Sequence, residues 1–287
     1  MYLESIEKQL KEMINLKKEN DYKNYNTQEL GGLITYNGIW EFKFRDNIIK
    51  MLNIFNDDLV ALKYFWKERY EQLSLNLWYE FTRDINSVFF DVGAHTGIYS
   101  IVGNLNKSVA NIVSLEPYYL NYSRMLDNLK LNKMSMKNAF MFAASNSDGT
   151  TKFKTVTNIG FHTSGGLIAQ DGNHHVNKIK LDSVEIQGIK VGCIKIDTEG
   201  HEYEVLHGGE KLIKAYSPDI IFEINLSSAK KSIEFLTDNK YEFFLIDDDK
   251  NKLIPMKGIN SIKLKEEGIN CLATKSTDRE IVKKYIK

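Results

Sequence analysis

From Val88 onward, short apolar runs alternate with segments in which apolar residues recur every three or four positions. The runs indicate buried strands and the segments indicate helices, and their alternation is typical of an α/β protein with a mainly parallel sheet. We predict strands that start at residues 88, 110, 139, 191 and 220, and helices over residues 98–105, 119–131, 202–215 and 229–239. Two last strands, 241–246 and 270–274, are predicted to pair antiparallel at one edge of the sheet.

The first 84 residues do not follow this alternation. Helical spacing predicts an amphipathic helix over residues 3–16, with an apolar stripe formed by Leu3, Ile6, Leu10 and Met13. We favour packing of this stripe on the protein's own domain, and a homo-oligomer formed through the helix is the alternative. Asp57 and Asp58 can cap a helix over residues 59–70, and another helix is predicted over 75–83.

A hairpin is also predicted in this part of the chain. Two runs with alternating apolar residues, 33–36 and 39–44, flank Asn37-Gly38, and both turn residues tolerate positive φ angles. Trp40, Phe42 and Phe44 would then share one face. We therefore predict two parts: residues 1–84, made of helices and the hairpin and packed on the core, and residues 85–287, which form the core domain.

Charge and cysteine content narrow the range of partners. Lys and Arg together number 38, as do Asp and Glu, so no net field attracts the protein to nucleic acid or to an anionic membrane. Cys193 and Cys271 lie in apolar runs, which indicates reduced, buried thiols and a cytoplasmic protein. No apolar run has the length of a membrane span, and the charged start does not fit a signal peptide. We expect a small-molecule or carbohydrate partner.

The end of the first core strand carries the most informative motif. Asp91 is followed by Gly93 and Gly97, which frame a strand-to-helix turn of the kind that binds ligands in open α/β sheets. A dinucleotide fingerprint would need a further glycine two residues after Gly93, and a phosphate loop would need a Gly-Lys-Ser/Thr ending. Asp91 would repel phosphate and suits a cationic group, such as the amine of S-adenosylmethionine. Glu116, at the end of the next strand, can accept both hydroxyls of a ribose.

Together with the acid-rich segment at Asp197, these motifs resemble those of the FkbM-family methyltransferases. The matching segments follow the family's order between Val88 and Asn225: Phe90-Asp91-Val92-Gly93-Ala94-His95-Thr96-Gly97, Leu115-Glu116-Pro117, Asn128-Leu129-Lys130-Leu131-Asn132, Ala143-Ala144-Ser145 and Ile194-Lys195-Ile196-Asp197-Thr198-Glu199-Gly200. The resemblance implies a class I (Rossmann-like) methyltransferase sheet, mostly parallel with an antiparallel edge strand. It also implies that residues 85–287 bind S-adenosylmethionine and catalyse O-methylation of sugars, glycans or polyketide-type small molecules.

Two other functions remain open at this point. A nonenzymatic regulator that binds an adenosine-type ligand would keep the same fold, but it would not need the acids at 197 and 199. An NAD-dependent oxidoreductase is disfavoured because the central glycine of the dinucleotide fingerprint is missing.

The resemblance further implies where the cofactor is held. Asp91 and Gly93 are expected to meet the methionine end of S-adenosylmethionine, and Glu116 is expected to meet its ribose. The other residues expected to bind the cofactor line the turn, follow it by one helical turn or border the adenine: Ala94, His95, Thr96, Gly97, Ser100, Ala144 and Ser145.

Candidate catalytic residues stand at the ends of the fourth and fifth core strands. Asp197, Glu199 and His201 occupy alternate positions of one loop, and each could remove a proton from an acceptor hydroxyl. The family's Asp-x-Glu-Gly sequence favours the two acids over His201, which alternatively caps the next helix or faces solvent. Glu223 is expected to hydrogen-bond the acceptor or a neighbouring loop. With Asp197 and Asn225 it also forms an oxygen-rich set that would suit Mg²⁺, an alternative that we do not favour.

A polar stretch over residues 151–176 interrupts the alternation of strands and helices. Its glycines at 160, 165, 166 and 172 predict a loop that moves as a lid over the strand ends. Its hydroxyl, amide and imidazole groups suit a polyhydroxylated acceptor. We therefore predict that the acceptor is a sugar of a surface polysaccharide or its nucleotide-linked precursor.

Overall fold

The computed structural model describes residues 2–106, 111–155, 166–186, 190–225, 229–257 and 268–286. The N-terminal part contains helices and a hairpin: α1 Tyr2–Glu19, α2 Thr27–Gly31, β1 Asn37–Phe44, β2 Asn47–Ile54, α3 Leu59–Lys67 and α4 Gln72–Phe81. The remaining elements are β3 Ser87–Val92, α5 Ile98–Asn104, β4 Asn111–Leu115, α6 Tyr119–Leu131, β5 Ala139–Phe140, β6 Ala143–Ala144, β7 Gly149–Thr155, β8 Gly166–Ile168, β9 His174–Ile179, β10 Lys190–Ile196, α7 Glu202–Gly208, α8 Glu210–Tyr216, β11 Asp219–Ile224, α9 Ala229–Asp238, β12 Glu242–Asp247, β13 Lys252–Met256, β14 Ile269–Thr274 and α10 Glu280–Lys283.

The main sheet has the strand order β13-β12-β14-β11-β10-β3-β4-β5. Its strands β3, β4, β5, β10 and β11 run parallel, as the apolar runs predicted. Strand β14 is antiparallel to both β11 and β12, so an antiparallel strand lies inside the sheet, and β13 is antiparallel at the edge. The order of strand addition reverses between β3 and β10, and open α/β sheets bind ligands at such a switch point.

Apolar side chains cover both faces of the sheet, because neighbouring residues of a strand point to opposite sides. One face carries a cluster that includes Phe90 and Phe222. The cluster on the other face includes Phe89 and continues into buried residues of the N-terminal part, among them Trp40 and the fully buried Met13 of α1. The N-terminal part and this face of the sheet thus share one hydrophobic core. The domain boundary at residue 84 remains a prediction.

Three polar residues of α6 hold the hairpin β1–β2 on the core. Arg124, Asn128 and Asn132 lie four residues apart and therefore project from one side of the helix. Arg124 forms a bidentate ion pair with Asp57 at 2.9 and 3.0 Å and also donates to a backbone carbonyl of β2. The side-chain carbonyls of Asn128 and Asn132 accept hydrogen bonds from β2 backbone N–H groups at 2.7 and 2.9 Å. The asparagines of the Asn-Leu-x-Leu-Asn motif therefore have a structural role.

Two acids lie at the start of α4: one comes from a distant turn of the chain and the other directly precedes the helix. Asp248, in the turn between β12 and β13, accepts hydrogen bonds from the backbone N–H groups of Leu73 and Ser74 at 2.7 and 3.0 Å. Burial raises the pKa of Asp248 to about 6, although these hydrogen bonds oppose the shift. Glu71, directly before α4, accepts a hydrogen bond of 2.5 Å from the hydroxyl of Tyr99 on α5.

The hairpin turns at a different place from the one predicted. Its turn is Arg45-Asp46, and Asn37-Gly38 opens the first strand. Gly38 has no positive φ; a Cβ there would lie 2.4 Å from the Tyr36 hydroxyl oxygen, so close packing requires the glycine. Arg45 adopts a φ of 52°, and its guanidinium binds Asn76 at 2.9 Å, so α4 fixes the turn. The shared face was predicted correctly: Trp40, Phe42 and Phe44 are all buried.

The region between β5 and β10 also differs from the prediction. The single strand expected over residues 139–144 is split, because β5 ends the main sheet and β6 joins a second, four-stranded sheet of order β6-β9-β7-β8. The polar stretch predicted as a lid loop forms β7, β8 and β9 of this sheet, and residues 156–165 of it lie outside the described residues. The helix predicted over 202–215 is interrupted at Gly208-Gly209, where a Cβ on Gly208 would lie 1.9 Å from the Ser145 carbonyl oxygen.

Candidate active site

A cavity of about 420 Å³ opens at the carboxyl ends of β3, β4 and β10. Pockets for small molecules and cofactors have volumes of roughly 300–1,000 Å³, so the cavity is of suitable size. Nine of the residues predicted from the sequence line it: Asp91, Gly93, Ala94, His95, Glu116, Ala144, Asp197, Glu199 and His201.

Strand register explains why these side chains meet. Asp91 of β3 pairs with Ser114 of β4 and with Lys195 of β10, so the three lie in one row across the sheet. Two residues further along each strand, on the same face, a second row contains Glu116, Gly93 and Asp197. Glu223 of β11 continues this second row, because Ile221 pairs with Lys195.

Asp91 is 1% exposed and is held by a short chain of hydroxyl groups. Ser100 donates to its Oδ2 at 2.5 Å, and the Ser100 and Ser114 hydroxyl oxygens are 2.6 Å apart. Burial raises the pKa of Asp91 to about 6, and the hydrogen bond from Ser100 and the charge of Lys195 oppose this shift. A cationic ligand group beside Asp91 would stabilise its ionised form.

The turn after β3 has the backbone conformation that its glycines suggest. Gly93 has a φ of 73°, and a Cβ there would lie 1.8 Å from the Asp197 carbonyl oxygen, so this position brings the ends of β3 and β10 together. Gly97 has a φ of 93°, and a Cβ there would lie 2.8 Å from the Met125 Cγ. Between them, His95 has a φ of 50° and donates its backbone N–H to Glu116 at 2.9 Å.

Glu116 and Asn121 form a buried pair of acceptors at the β4 end of the cavity. Besides the bond from His95, Glu116 accepts hydrogen bonds from the Tyr118 backbone N–H at 2.9 Å and from the Asn121 amide at 3.4 Å. Burial raises the pKa of Glu116 above its ordinary value, and these hydrogen bonds offset only part of the shift. Asn121 is 3% exposed and lines the cavity, and its Oδ1 has no hydrogen-bond partner among the described residues. A buried acceptor without a partner is costly, so the site suits a ligand that brings hydroxyl donors, such as a ribose.

The acid-rich loop begins where β10 ends. The Asp197 backbone N–H donates to the Val92 carbonyl at 3.0 Å, which fixes the start of the loop against β3. Glu202 accepts hydrogen bonds from the backbone N–H groups of Thr198 and Gly200, both at 3.0 Å, and so caps the loop from inside. Glu199 adopts a φ of 55°. Partial loss of solvation and the negative charges of Asp197 and Glu202 raise its pKa.

Lys195 and Glu223 lie beside the acid-rich loop. Lys195 is 2% exposed, and its Nζ donates to Asp197 Oδ2 at 3.1 Å. Burial and the negative charges of Asp197 and Glu199 raise the pKa of Glu223 to about 8. Glu223 does not line the cavity and lies next to it, on the strand beside Asp197. At neutral pH most Glu223 carboxyls therefore carry a proton.

His201 lines the cavity but is held by protein groups. Its Nε2 lies 3.0 Å from the Ser145 hydroxyl, and its Nδ1 lies 3.6 Å from a carboxylate oxygen of Glu204. Burial lowers the pKa of His201, which favours the neutral imidazole. His201 stands directly before α7, and its side chain makes no capping hydrogen bond there.

Four residues expected to bind the cofactor lie outside the cavity lining: Thr96, Gly97, Ser100 and Ser145. Each touches a residue that positions part of the site. Ser100 orients Asp91, Ser145 bonds His201, and Gly97 packs on α6. The Thr96 carbonyl accepts a hydrogen bond from Asn128 at 2.8 Å. These contacts give them positioning roles, and direct cofactor contact remains a prediction.

Several lining residues have no counterpart in the sequence-based prediction. The N-terminal part contributes Leu59, Val60 and Tyr70, and the small sheet contributes Phe153 and β8. This second wall is apolar, in contrast to the polar lid expected from composition. Only tertiary packing brings these segments to the strand ends.

The structure does not favour the magnesium alternative. Within the described ranges, no group of three His, Cys, Asp or Glu side chains could hold a metal ion. The positive charge next to Asp197 is the ammonium of Lys195. Asn225 follows β11, and its backbone carbonyl accepts a hydrogen bond from the first residue of α9. An ammonium beside Asp197 would repel a Mg²⁺ ion, which argues against the set Asp197, Glu223 and Asn225 as its site.

Among the described residues, no helix is long and apolar enough to span a membrane.

Comparisons with known proteins bear on the identity of the fold. A search of curated proteins finds no match. Among solved structures, the methyltransferase FkbM from Methylobacillus flagellatus KT is 13% identical over 75% of this chain and 53% of that chain, with a TM-score of 0.41. A precorrin-6y C5,15-methyltransferase from Geobacter metallireducens GS-15 is 16% identical over 71% and 89%, with a TM-score of 0.41. A SAM-dependent methyltransferase from Agrobacterium tumefaciens is 8% identical over 84% and 70%, with a TM-score of 0.45.

The family is shown by a match at the level of sequence. The model described as "Methyltransferase FkbM domain" covers residues 91–243, which run from the acid at the end of β3 to the start of β12 and include Glu116, the acid-rich loop and Glu223. The sheet around this site has the class I arrangement that the sequence motifs implied. Since the match spans more than half of the chain and includes most residues of the cavity, the protein belongs to the FkbM methyltransferase family and is an S-adenosylmethionine-dependent methyltransferase.

Proposed function

We propose that the protein transfers the methyl group to a hydroxyl of a sugar, in a surface polysaccharide or in a nucleotide-sugar precursor. The observation that carries this proposal is the convergence of Asp197, Glu199 and Glu223 around the buried ammonium of Lys195. Methylation of a hydroxyl requires a proton acceptor near the reacting oxygen. The carboxylates of Asp197 and Glu199, at the end of β10, can supply it.

Different residues of the site would bind the methyl donor and accept the proton. The Glu116 and Asn121 end of the cavity would hold the adenosyl part of S-adenosylmethionine, which supplies an electrophilic methyl group when bound. Asp197 is our choice for the proton acceptor, because its carboxylate lines the cavity and is oriented by the hydrogen bond from Lys195, and Glu199 is the second candidate. Glu223 retains its own proton at neutral pH and acts through its neighbours. Positioning of donor and acceptor supplies a further large share of the rate.

Hydrogen-bonding groups on the cavity wall support a polyhydroxylated acceptor. Tyr70, Asp197, Thr198 and Glu199 are adjacent to or near one another in the lining and offer several donors and acceptors. Burial and the charges of Glu71 and Asp197 raise the pKa of Tyr70, so its hydroxyl stays protonated and can donate.

A second candidate acceptor is a polyketide-type small molecule. The observation in its favour is the apolar surface formed by Phe153, Leu167 and Ile168 on one side of the cavity and by Leu59 and Val60 on another. An apolar, hydroxyl-bearing molecule would bury this surface more effectively than a sugar would.

An acceptor screen with methyl-labelled S-adenosylmethionine distinguishes these proposals. The panel should contain nucleotide-linked sugars, oligosaccharides and hydroxylated aromatic polyketide-type compounds, and mass spectrometry should locate the methyl group on the product. We expect label on an oxygen of a sugar, and no label with Asp197→Asn. Transfer to the aromatic compounds alone would favour the second candidate. Tight binding of S-adenosylhomocysteine without transfer to any acceptor would favour a regulatory role.

A further inference from the structure

The cavity contains a cationic group to which neither the motifs nor the mechanism above assigns a ligand. Lys195 supplies the one ammonium or guanidinium among the described residues that line the cavity. Its side chain is almost fully buried, and its one hydrogen bond within the described part of the chain goes to Asp197. An ammonium has three N–H donors, so two of them remain for other partners.

The surroundings keep this group charged and in a fixed place. Burial alone would lower the pKa of Lys195, but the negative charges of Asp197 and Glu71 outweigh this effect and raise it. Its Nζ lies 4.9 Å from the centre of the Tyr99 ring. Glu71, which accepts the Tyr99 hydroxyl bond, comes from the N-terminal part, so that part of the chain helps to position the ammonium.

The methyl donor carries two opposite charges at its methionine end, an ammonium and a carboxylate. Asp91, which suits the ammonium, pairs with Lys195 across β3 and β10, and neighbouring strands lie roughly 4.8 Å apart. Besides the imidazoles of His95 and His201, the other titratable acid–base groups at the strand ends that line the cavity are carboxyl groups: Asp91, Glu116, Asp197 and Glu199. A ligand carboxylate would be repelled by each of these and attracted by Lys195.

We propose that Lys195 binds the carboxylate of the methionine end of the donor, so that Asp91 and Lys195 together recognise its zwitterion. The proposal rests on S-adenosylmethionine as methyl donor and is independent of the acceptor. Lys195 then has two partners: its ammonium binds the donor, and its hydrogen bond orients Asp197, which acts on the acceptor.

Ligand variants test this without any change to the protein. Calorimetry on the wild-type chain should compare S-adenosylhomocysteine with its decarboxylated analogue and with 5′-methylthioadenosine, which lacks the whole amino-acid end. A charge-assisted hydrogen bond contributes about 1.5–3 kcal/mol, so removal of the carboxylate should weaken binding roughly tenfold or more. Equal affinity for S-adenosylhomocysteine and the decarboxylated analogue would overturn the proposal.

Protein variants locate the effect at this residue. Lys195→Met should weaken the binding of S-adenosylhomocysteine roughly tenfold or more and should change the affinity for 5′-methylthioadenosine less than twofold. Lys195→Arg should retain part of the affinity for S-adenosylhomocysteine. Lys190→Met is the matched control, since Lys190 lies on the same strand and pairs with Asp84, outside the cavity, so both ligands should bind it as they bind wild type.

Two outcomes of the variant experiment would contradict the proposal. An equal loss of both ligands in Lys195→Met would show that the lysine only maintains the structure. Unchanged binding of both ligands would show that the ammonium faces something other than the donor. If Lys195→Met does not fold, as judged by its melting curve, Lys195→Arg and the ligand variants still decide the question. Failure of sugar methylation would leave all of these binding results unaffected.

Discussion

The ends of the sheet strands form the floor of the cavity, and its two halves, at β3–β4 and at β10–β11, differ in how their carboxylates are held. On the β3–β4 side, Asp91 and Glu116 receive hydrogen bonds from neighbouring hydroxyl, amide and backbone groups. On the β10–β11 side, burial raises the pKa values of Glu199 and Glu223, and the charges of neighbouring acids raise them further. The first half is organised to bind one ligand in one orientation. The second half contains carboxyl groups whose protonation state can change when a substrate binds.

The contrast teaches that one sheet edge can serve two tasks with the same residue type. A carboxylate fixed by donors is a binding group, because its geometry is set before the ligand enters and the donors oppose the rise in its pKa that burial causes. A carboxylate among like charges has a raised pKa and can exchange protons near neutral pH. The following predictions would break or sharpen this division.

The largest effect is expected for Asp197→Asn. Loss of the proton acceptor should lower the methyl-transfer rate by about a hundredfold or more. The dissociation constant of S-adenosylhomocysteine should change only a few-fold, because the donor is held by the other half of the floor. Initial rates with the labelled donor and calorimetry measure the two quantities. Asp249→Asn makes the same change at an exposed acid outside the cavity and serves as the control; a parallel fall of rate and affinity in Asp197→Asn would break the division.

The opposite pattern is expected for Glu116→Gln. The variant keeps the shape of the side chain and loses a charged acceptor, which contributes about 1.5–3 kcal/mol per hydrogen bond. S-adenosylhomocysteine should therefore bind roughly tenfold more weakly or worse, and the rate at saturating donor should recover. Steady-state kinetics at several donor concentrations show this as a raised KM with kcat maintained. A lost kcat at saturation would place Glu116 in the chemistry.

A smaller effect is expected for Asn121→Leu. The substitution removes an acceptor that lacks a partner among the described residues, but it also removes the amide that donates to Glu116, so the melting temperature of the ligand-free protein should change little. A neutral hydrogen bond contributes about 0.5–1.5 kcal/mol, so S-adenosylhomocysteine should bind roughly two- to tenfold more weakly. Analogues that lack one ribose hydroxyl provide the control: the penalty should vanish for the one whose missing hydroxyl Asn121 would bind. An equal penalty for every analogue would rule out hydroxyl recognition.

The smallest effect concerns stability and pH. Because the pKa of Glu223 is raised from 4.5 to about 8, the folded protein retains a proton in this range that the unfolded chain loses. This carboxyl group therefore destabilises the fold increasingly as pH rises from about 4.5 to 8. Glu223→Gln cannot ionise and should melt at the wild-type temperature near pH 4.5 and a few degrees higher at pH 9. Glu242→Gln changes an exposed carboxyl on β12 and should show no such trend.

Sequence periodicity predicted the parallel strands, and with them the places where Asp91, Glu116 and Asp197 meet. Strand ends are visible in a sequence because a run of apolar residues stops at an acid or a glycine. No role was predicted for Lys195, because it lies inside such a run. Only the pairing register of β3 and β10 shows that it lies beside Asp91. Asn121 escaped because its side chain acquires a function only next to Glu116.

The errors have a common physical cause. The Asn37-Gly38 dipeptide has the propensity for a tight turn, but contacts of Arg45 with α4 decide where the hairpin turns. The glycine-rich stretch before β9 has a loop composition, but strand pairing orders the parts of it that the structure describes. In both cases tertiary contacts outweigh local preference, and such contacts are not readable from neighbouring residues.

The cap that Asp248 places on α4 has a consequence for the order of events during synthesis. Ser74 leaves the ribosome well before Asp248, which follows it by 174 residues along the chain. Until then the first backbone N–H groups of α4 lack this partner, and Glu71 and Tyr70 just before the helix lack a fixed position. The N-terminal part of the nascent chain can therefore form secondary structure early, but this wall of the active site becomes final only after Asp248 has been synthesised.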